Sequence, residues 1–205
     1  MPDTKHARTA LPIHDLLARR WSARAIDPKR RVARDHVIVL LEAARWAPSC
    51  NGDEPWRYLV WDRFENPGEW QRAWDCLSPG NQYWVQNAPV LMASFADSRF
   101  RSDKPNRWGQ HDTGAASENL CLQGTALGLV VHQMGGFDKD KLAAAFDVPE
   151  QFTPMAMIAV GHPGDPGVLS EKHQAAEAAP RQRQPFGELF FDGAWGKALT
   201  VRQPD

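Results

Sequence analysis

Two pairs of arginines and one pair of glycines are the residues in this sequence best suited to chemistry. Arg20, Ser22 and Arg24 lie two apart. In extended or turn backbone, alternate side chains share a face. Two guanidinium forks and a hydroxyl on one face form a receptor for phosphate. Arg181 and Arg183 repeat the spacing near the other end of the chain. Read alone, either pair is solvated surface charge. A bound dianion requires the two pairs to meet in the fold, and it favours Arg over Lys because its donors must never deprotonate. In Met134-Gly135-Gly136-Phe137 the two glycines let backbone approach a flat ligand closely.

Other candidates offer less. The seven histidines show no HExxH pattern and no His–Cys spacing typical of a metal site. His111 and Asp112 could pair, but nothing marks a nucleophile beside them. Cys50 follows the end of a helix rather than its start, so dipole activation is not expected and the thiol reads as packed. The three cysteines, Cys50, Cys76 and Cys121, are odd in number and widely spaced. They form neither a disulfide framework nor a zinc site, and a reducing cytoplasm is the default.

The elements that must position these groups centre on Gly114–Asp138. Gly114–Leu127 reads as a helix, with Ala116, Leu120 and Leu127 at helical spacing. Gly124 inside it, surrounded by small residues, predicts close packing. Gly128 can take the left-handed conformation that ends a helix. Leu129–His132 then reads as a short strand that delivers the glycine loop. The plainer reading is a core helix followed by an ordinary turn. Upstream, Ile13, Leu16 and Leu17 form a short helix ending near Arg20. Val37, Leu40, Leu41 and Ala44 predict a helix over Arg34–Trp46, stopped by Pro48. Trp56–Trp61 and Val90–Ala96 read as strands, Glu69–Leu77 and Asn81–Gln86 as helices, and Asp97–His111 as polar and irregular. Asp138 caps a helix over Lys139–Phe146. Met155–Val160 is a buried strand and Leu169–Ala179 a polar helix.

The chain has 205 residues, 42% hydrophobic and 24% charged, with a formal net charge of -1. That composition is globular. It excludes a bulk field for nucleic acid or an anionic membrane, and no apolar run approaches a bilayer span. Residues 1–10 read as a flexible tail and 11–205 as one domain with a C-terminal arm. Nine tryptophans are many. They read as core and interface, with an aromatic-walled pocket as the alternative. The strands do not repeat a simple strand–helix unit and no GxGxxG opens a helix. This favours an α+β fold, a mixed and mainly antiparallel sheet flanked by helices, over a dinucleotide-binding parallel sheet.

An ordered series of motifs resembles the FMN-dependent nitroreductase family. Arg20-x-Ser-x-Arg24 is followed by Ala47-Pro48-Ser49 and Pro55-Trp56-Arg57. Then come Asn81, Ala88-Pro89, Gly114-x-x-x-x-Asn119-Leu120-x-Leu122 and Ala126-Leu127-Gly128-Leu129. Gly136-Phe137-Asp138, Ile158-Ala159-Val160-Gly161-His162-Pro163 and Arg181-x-Arg183-x-Pro185 complete it. Order and spacing across nearly the whole chain make the resemblance specific.

The resemblance implies an intertwined homodimer with FMN at the interface. Arg20, Arg181 and Arg183 would hold the phosphate, with Ser22 beside them. Arg24 and Asn81 would face the pyrimidine edge of the flavin. Pro48, Ser49 and Cys50 of a partner subunit would line the ring. Gly135 and Gly136 would offer backbone N–H groups near N5 and O4, with Trp21 and Met134 adjoining. Phe137 and nearby tryptophans would form part of the substrate wall. No catalytic acid or base is required, because the cofactor carries the redox chemistry and Arg24 supplies fixed positive charge. The implied activity is NAD(P)H-dependent reduction of a nitroaromatic, quinone or similar acceptor by a ping-pong mechanism. Flavin fragmentation, dehalogenation, azoline oxidation and non-enzymatic FMN binding are the alternatives on the same scaffold. Gly52 and Glu54 depart from the family's Asn and Gln before Pro-Trp, and a carboxylate at position 54 bears on the flavin contacts of that loop.

Overall fold

The hydrophobic pattern of the strands sorts side chains to two faces of one sheet. The computed structural model describes residues 3–201. Strands β1 (Trp56–Asp62), β2 (Val90–Asp97), β3 (Val130–Met134) and β4 (Phe152–Gly161) form a sheet of order β1-β2-β4-β3, with every pairing antiparallel. On β2, Leu91, Ala93 and Phe95 enter one core cluster, while Val90 and Met92 enter the other. On β4, Met157 and Ala159 alternate with Ile158 and Val160 in the same way. This is the period of two expected of a sheet buried on both faces.

Helices α1 (Asp15–Arg19), α2 (Arg34–Arg45), α3 (Pro67–Trp74), α4 (Pro79–Val85), α5 (Gly109–Ala126), α6 (Lys139–Ala145), α7 (Glu171–Ala178) and α8 (Phe186–Leu189) complete the chain. The α2 and α5 side chains Val37, Leu40, Ala116 and Leu120 pack on one face of the sheet. A Cβ at Gly124 would collide with Val131 and touch Leu40, so close packing is the reason for that glycine. Gly128 has φ +69, the left-handed stop expected after α5. Asp138 caps α6, its carboxylate accepting the Lys141 N–H at 2.9 Å. Trp61, Trp70 and Trp84 belong to one core and Trp56 to the other.

Several boundaries differ from expectation: β3 covers Val130–Met134 rather than Leu129–His132, α3 covers Pro67–Trp74 rather than Glu69–Leu77, and α4 covers Pro79–Val85 rather than Asn81–Gln86. The helix expected from Gly114 begins at Gly109. Its first turns are polar because Asp112 and Thr113 are buried there, and Asp112 is spent on a distant backbone amide. Apolar periodicity therefore has no signal in that turn. Strand β4 begins at Phe152, ahead of the expected Met155. Pro154 is tolerated beside a register shift at Ser94/Phe95. Of the tail read over residues 1–10, Lys5 is buried and donates to Ala176 O at 2.6 Å and Ala179 O at 2.5 Å. Residues 1–2 of that tail and 202–205 of the C-terminal arm lie outside the described residues.

Candidate active site

Helix α1 ends at Arg19, and Arg20, with φ -58 and ψ 124, turns the chain into an extended segment. Ile26 anchors that segment by bridging to Pro163, and Asp27 N donates to His162 O at 2.9 Å. Ala23 and Ala25 are buried, whereas Ser22 and Arg24 are half-buried. The Arg20 guanidinium reaches Ser22 Oγ at 3.5 Å and Glu118 Oε1 at 3.3 Å. The basic triplet therefore lies along the edge of the core with its polar side chains outward.

The second basic pair meets the first. Arg181 donates to the carbonyl oxygens of Arg20 and Ala18 at the end of α1, the latter also accepting Ala7 N at 2.9 Å. Burial, then the charges of Arg20 and Arg183, lower the pKa of Arg181. Three guanidinium groups are thus crowded together, with Glu118 the nearby carboxylate bound to one of them. Arg181 Nε is buried and has no hydrogen-bond partner among the described residues. An unsatisfied buried donor costs about 1–3 kcal/mol. A phosphate oxygen would both satisfy it and relieve the repulsion, so this corner fits the terminal group of FMN. Arg8 shares a cavity of about 840 Å³ with Arg181 and Arg183 and extends the cationic rim.

A chain of contacts joins the arginine segment to the glycine loop. His132 on β3 lies 2.9 Å from Ala23 O through Nδ1. Its ring packs on Trp84 at 4.6 Å between centroids. Trp84 Nε1 donates to Asn81 Oδ1 at 3.3 Å, and Asn81 Nδ2 donates to Gly136 O at 2.9 Å. Ser78 N also donates to Gly136 O, at 3.0 Å. Among the described residues, no loop or turn hydrogen bond uses the N–H of Gly135 or Gly136. The loop therefore presents two consecutive donors.

Not every expected site residue points to the same place. Met134 is buried in the core, so only its backbone is available to a ligand. Phe137 packs against that core and bridges to Leu77. Both oxygen and nitrogen of the Asn81 amide are engaged within the chain, which makes Asn81 a support for Gly136. Trp21 lies under the Lys5 ammonium, 4.7 Å from its ring centre, and lines a cavity that contains none of the basic triplet.

Pro48, Ser49 and Cys50 form a separate corner. They are held by Cys50 N donating to Asp112 Oδ2 at 2.9 Å and Glu54 N donating to Ser49 Oγ at 3.1 Å. Asn51, Gly52 and Glu54 have φ of 58, 65 and 53, so the loop is a tight left-handed turn. Glu54 faces Arg101, 3.5 Å away, which accounts for a carboxylate at that position. A cavity of about 430 Å³ opens between Trp46, Pro48, Ser49 and Glu54.

The expected His111–Asp112 pair forms, with Nδ1 2.9 Å from Oδ1, but the bond of Asp112 to Cys50 and the places of Glu118 and Arg8 are not apparent from spacing. Their partners lie far along the chain or on another element, and only the buried polar first turn of α5 hints at one of them. No helix among the described residues is long and apolar enough to cross a membrane.

A model of the nitroreductase family matches residues 17–162. A solved structure described as an oxidoreductase containing FMN is 30% identical, with a TM-score of 0.86, over 95% of this chain and 98% of that one. A 15.4 kDa protein from the ask 5′ region of Mycolicibacterium smegmatis is 34% identical over 123 residues, 60% of this chain and 82% of its own length. The major NAD(P)H-flavin oxidoreductase of Aliivibrio fischeri is 32% identical over 81 residues, 40% of this chain and 34% of that protein.

Proposed function

The chain belongs to the nitroreductase family, and from that premise we propose that it is an FMN-dependent oxidoreductase that takes electrons from NADH or NADPH and reduces a nitroaromatic, quinone or similar small acceptor. The observation that carries this reading is the approach of Arg20 and Arg183 to Arg181, whose buried Nε–H has no acceptor among the described residues. FMN, when bound, supplies the hydride chemistry.

The chain's own residues bind and orient it. Arg20, Ser22, Arg181 and Arg183 hold the phosphate. Arg24, whose charge is felt at His132, contributes positive charge where negative charge develops during reduction. Gly135 and Gly136 donate their N–H groups to the polar edge of the ring, and Asn81 keeps that loop in place. No side-chain acid or base is assigned.

Pro48, Ser49 and Cys50 complete the ring site of a second copy in a homodimer. Exposed apolar residues support that assembly, among them Ile38 and Trp46 on and after α2 and Trp195 in the C-terminal arm, which is 93% exposed. One ring face shared by donor and acceptor gives alternating, ping-pong kinetics. The free thiols Cys50, Cys76 and Cys121 suit the cytoplasm.

The test is an absorption spectrum of the purified protein followed by titration with each nicotinamide. A bound flavin bleached by NADH or NADPH and reoxidised by a nitroaromatic is the expected result. A colourless protein that fails to take up added FMN would overturn the reading.

A further inference from the structure

The segment that carries the basic triplet has a second face. Trp21, Ala23 and Ala25 alternate with Ser22 and Arg24 and line a cavity of about 440 Å³. Leu129, Val130, Pro163 and Pro166 supply further apolar wall, and α7 closes one side with Glu177 and Ala178. That volume is within the range of small-molecule sites, which combine apolar walls with a few placed polar groups.

The placed polar group is the Glu177 carboxylate. The residue is only 4% exposed, and one of its oxygens accepts the Arg24 backbone N–H at 3.0 Å. A carboxylate has capacity for further donors. The adjacent Lys5 ammonium, fixed on Ala176 O and Ala179 O, already offsets its charge. Arg24 and Arg181 add positive charge nearby. A cationic ligand would gain little here, whereas a neutral donor would find an acceptor beside an aromatic wall.

We propose that this cavity, bounded by Trp21, Ala23, Ala25, Val130, Pro163 and Glu177, is a second ligand site for a small neutral aromatic molecule bearing one N–H or O–H donor. Of the residues set beside the phosphate or the ring, Trp21 alone lines it. The Glu177–Arg24 hydrogen bond joins the two sites, so a ligand on Glu177 alters how Arg24 is held. Coupling between them is reciprocal by thermodynamic necessity. The coupling rests on the proposed FMN site, while the cavity does not.

The test is calorimetric titration of the full chain with indole, with and without FMN, beside 1-methylindole, which lacks the donor. Indole binds saturably, and 1-methylindole binds at least tenfold more weakly. Ala178→Phe, at an exposed position on the cavity wall, abolishes indole binding and leaves basal turnover unchanged. Glu177→Gln brings the two indoles closer in affinity. Indole changes the FMN dissociation constant, and FMN changes that of indole by the same factor. Failure of indole to saturate, equal binding of both indoles, equal binding to Ala178→Phe, or displacement of FMN by indole overturns the proposal. Indole binding by a protein that takes up no FMN would sink the cofactor reading and leave the cavity standing.

Discussion

The imidazole Nδ1 of His132 lies 2.9 Å from the carbonyl oxygen of Ala23, and this bond fastens the arginine segment to β3. A carbonyl can only accept, so Nδ1 carries the proton. Burial pushes the His132 pKa down to about 4, against the opposing effect of the Ala23 bond and with help from Arg24 and Arg20. The unfolded chain therefore protonates first, near a pH of about 6.5. The stability associated with neutral His132 is whole above that pH and is lost as pH falls toward 4. At about 1.36 kcal/mol for each pH unit, the loss reaches about 3 kcal/mol. Urea unfolding at neutral and mildly acid pH, compared between wild type and His132→Gln, reads this directly. The wild type loses about 2 kcal/mol more than the variant. Equal losses would remove His132 as the cause.

The two C-terminal arginines separate by function. Arg183 is exposed and, among the described residues, donates only to Gln182 O, whereas Arg181 ties down the end of α1. Arg183→Ala weakens FMN binding by roughly tenfold or more, as expected from charge-assisted bonds of about 1.5–3 kcal/mol, and leaves stability unchanged. Arg181→Ala lowers both FMN affinity and resistance to urea. Flavin fluorescence titration beside unfolding curves distinguishes the two. An unaltered FMN affinity in Arg183→Ala removes that residue from the site.

Adjacent glycines in the loop respond differently to a methyl group. A Cβ on Gly136 would stand 2.8 Å from both Asn81 Nδ2 and Ser78 Oγ, while one on Gly135 meets nothing within 4 Å. Gly136→Ala disrupts the Asn81 bond and costs about 1–3 kcal/mol of stability, the usual cost of overpacking. Gly135→Ala leaves stability intact but weakens FMN binding, because its added carbon occupies space beside the ring. Thermal unfolding and FMN titration of both variants check this. A Gly135→Ala protein with normal FMN affinity would place the ring elsewhere.

Much of this site is legible in the chain, and the illegible parts share a cause. Arg20, Ser22 and Arg24 stand out because a local backbone period puts them on one side. Gly128 and Asp138 stand out because helix ends demand particular chemistry, and the observed φ +69 and the Lys141 N–H bond answer those demands. The direction of the Met134 and Phe137 side chains is not legible, because adjacency to the glycines says nothing about direction. On β3, Met134 is two residues from His132 and four from Val130, so the strand's own period turns it into the core. Glu118, Glu177 and the Cys50 partner of Asp112 escape notice because each contact joins residues from different elements, whereas the His111–Asp112 pair is local and legible. Asp112 meets Cys50, and Glu177 meets Arg24 across most of the chain. Only the tertiary fold creates those pairs.

The Asp112–Cys50 pair governs the loop proposed to wall the partner's flavin. Asp112 is buried in the first turn of α5, with a side chain 5% exposed. One oxygen accepts Cys50 N at 2.9 Å and the other lies 2.9 Å from His111 Nδ1. The loop it holds has left-handed backbone at Asn51, where asparagine tolerates it, and at Glu54, where surrounding contacts must enforce it. Asp112→Ala removes that enforcement and leaves the half-buried Cys50 N–H without its partner. The expected cost is about 1.5–3 kcal/mol, the range for a hydrogen bond to a charged group. Asp112→Asn keeps an acceptor and loses less. FMN affinity falls in parallel with loop order, because the ring loses a wall supplied by the other copy. Hydrogen exchange at Cys50–Glu54, measured with FMN affinity for both variants, separates the effects. Faster exchange in Asp112→Ala with unchanged FMN affinity means that the loop does not reach the flavin.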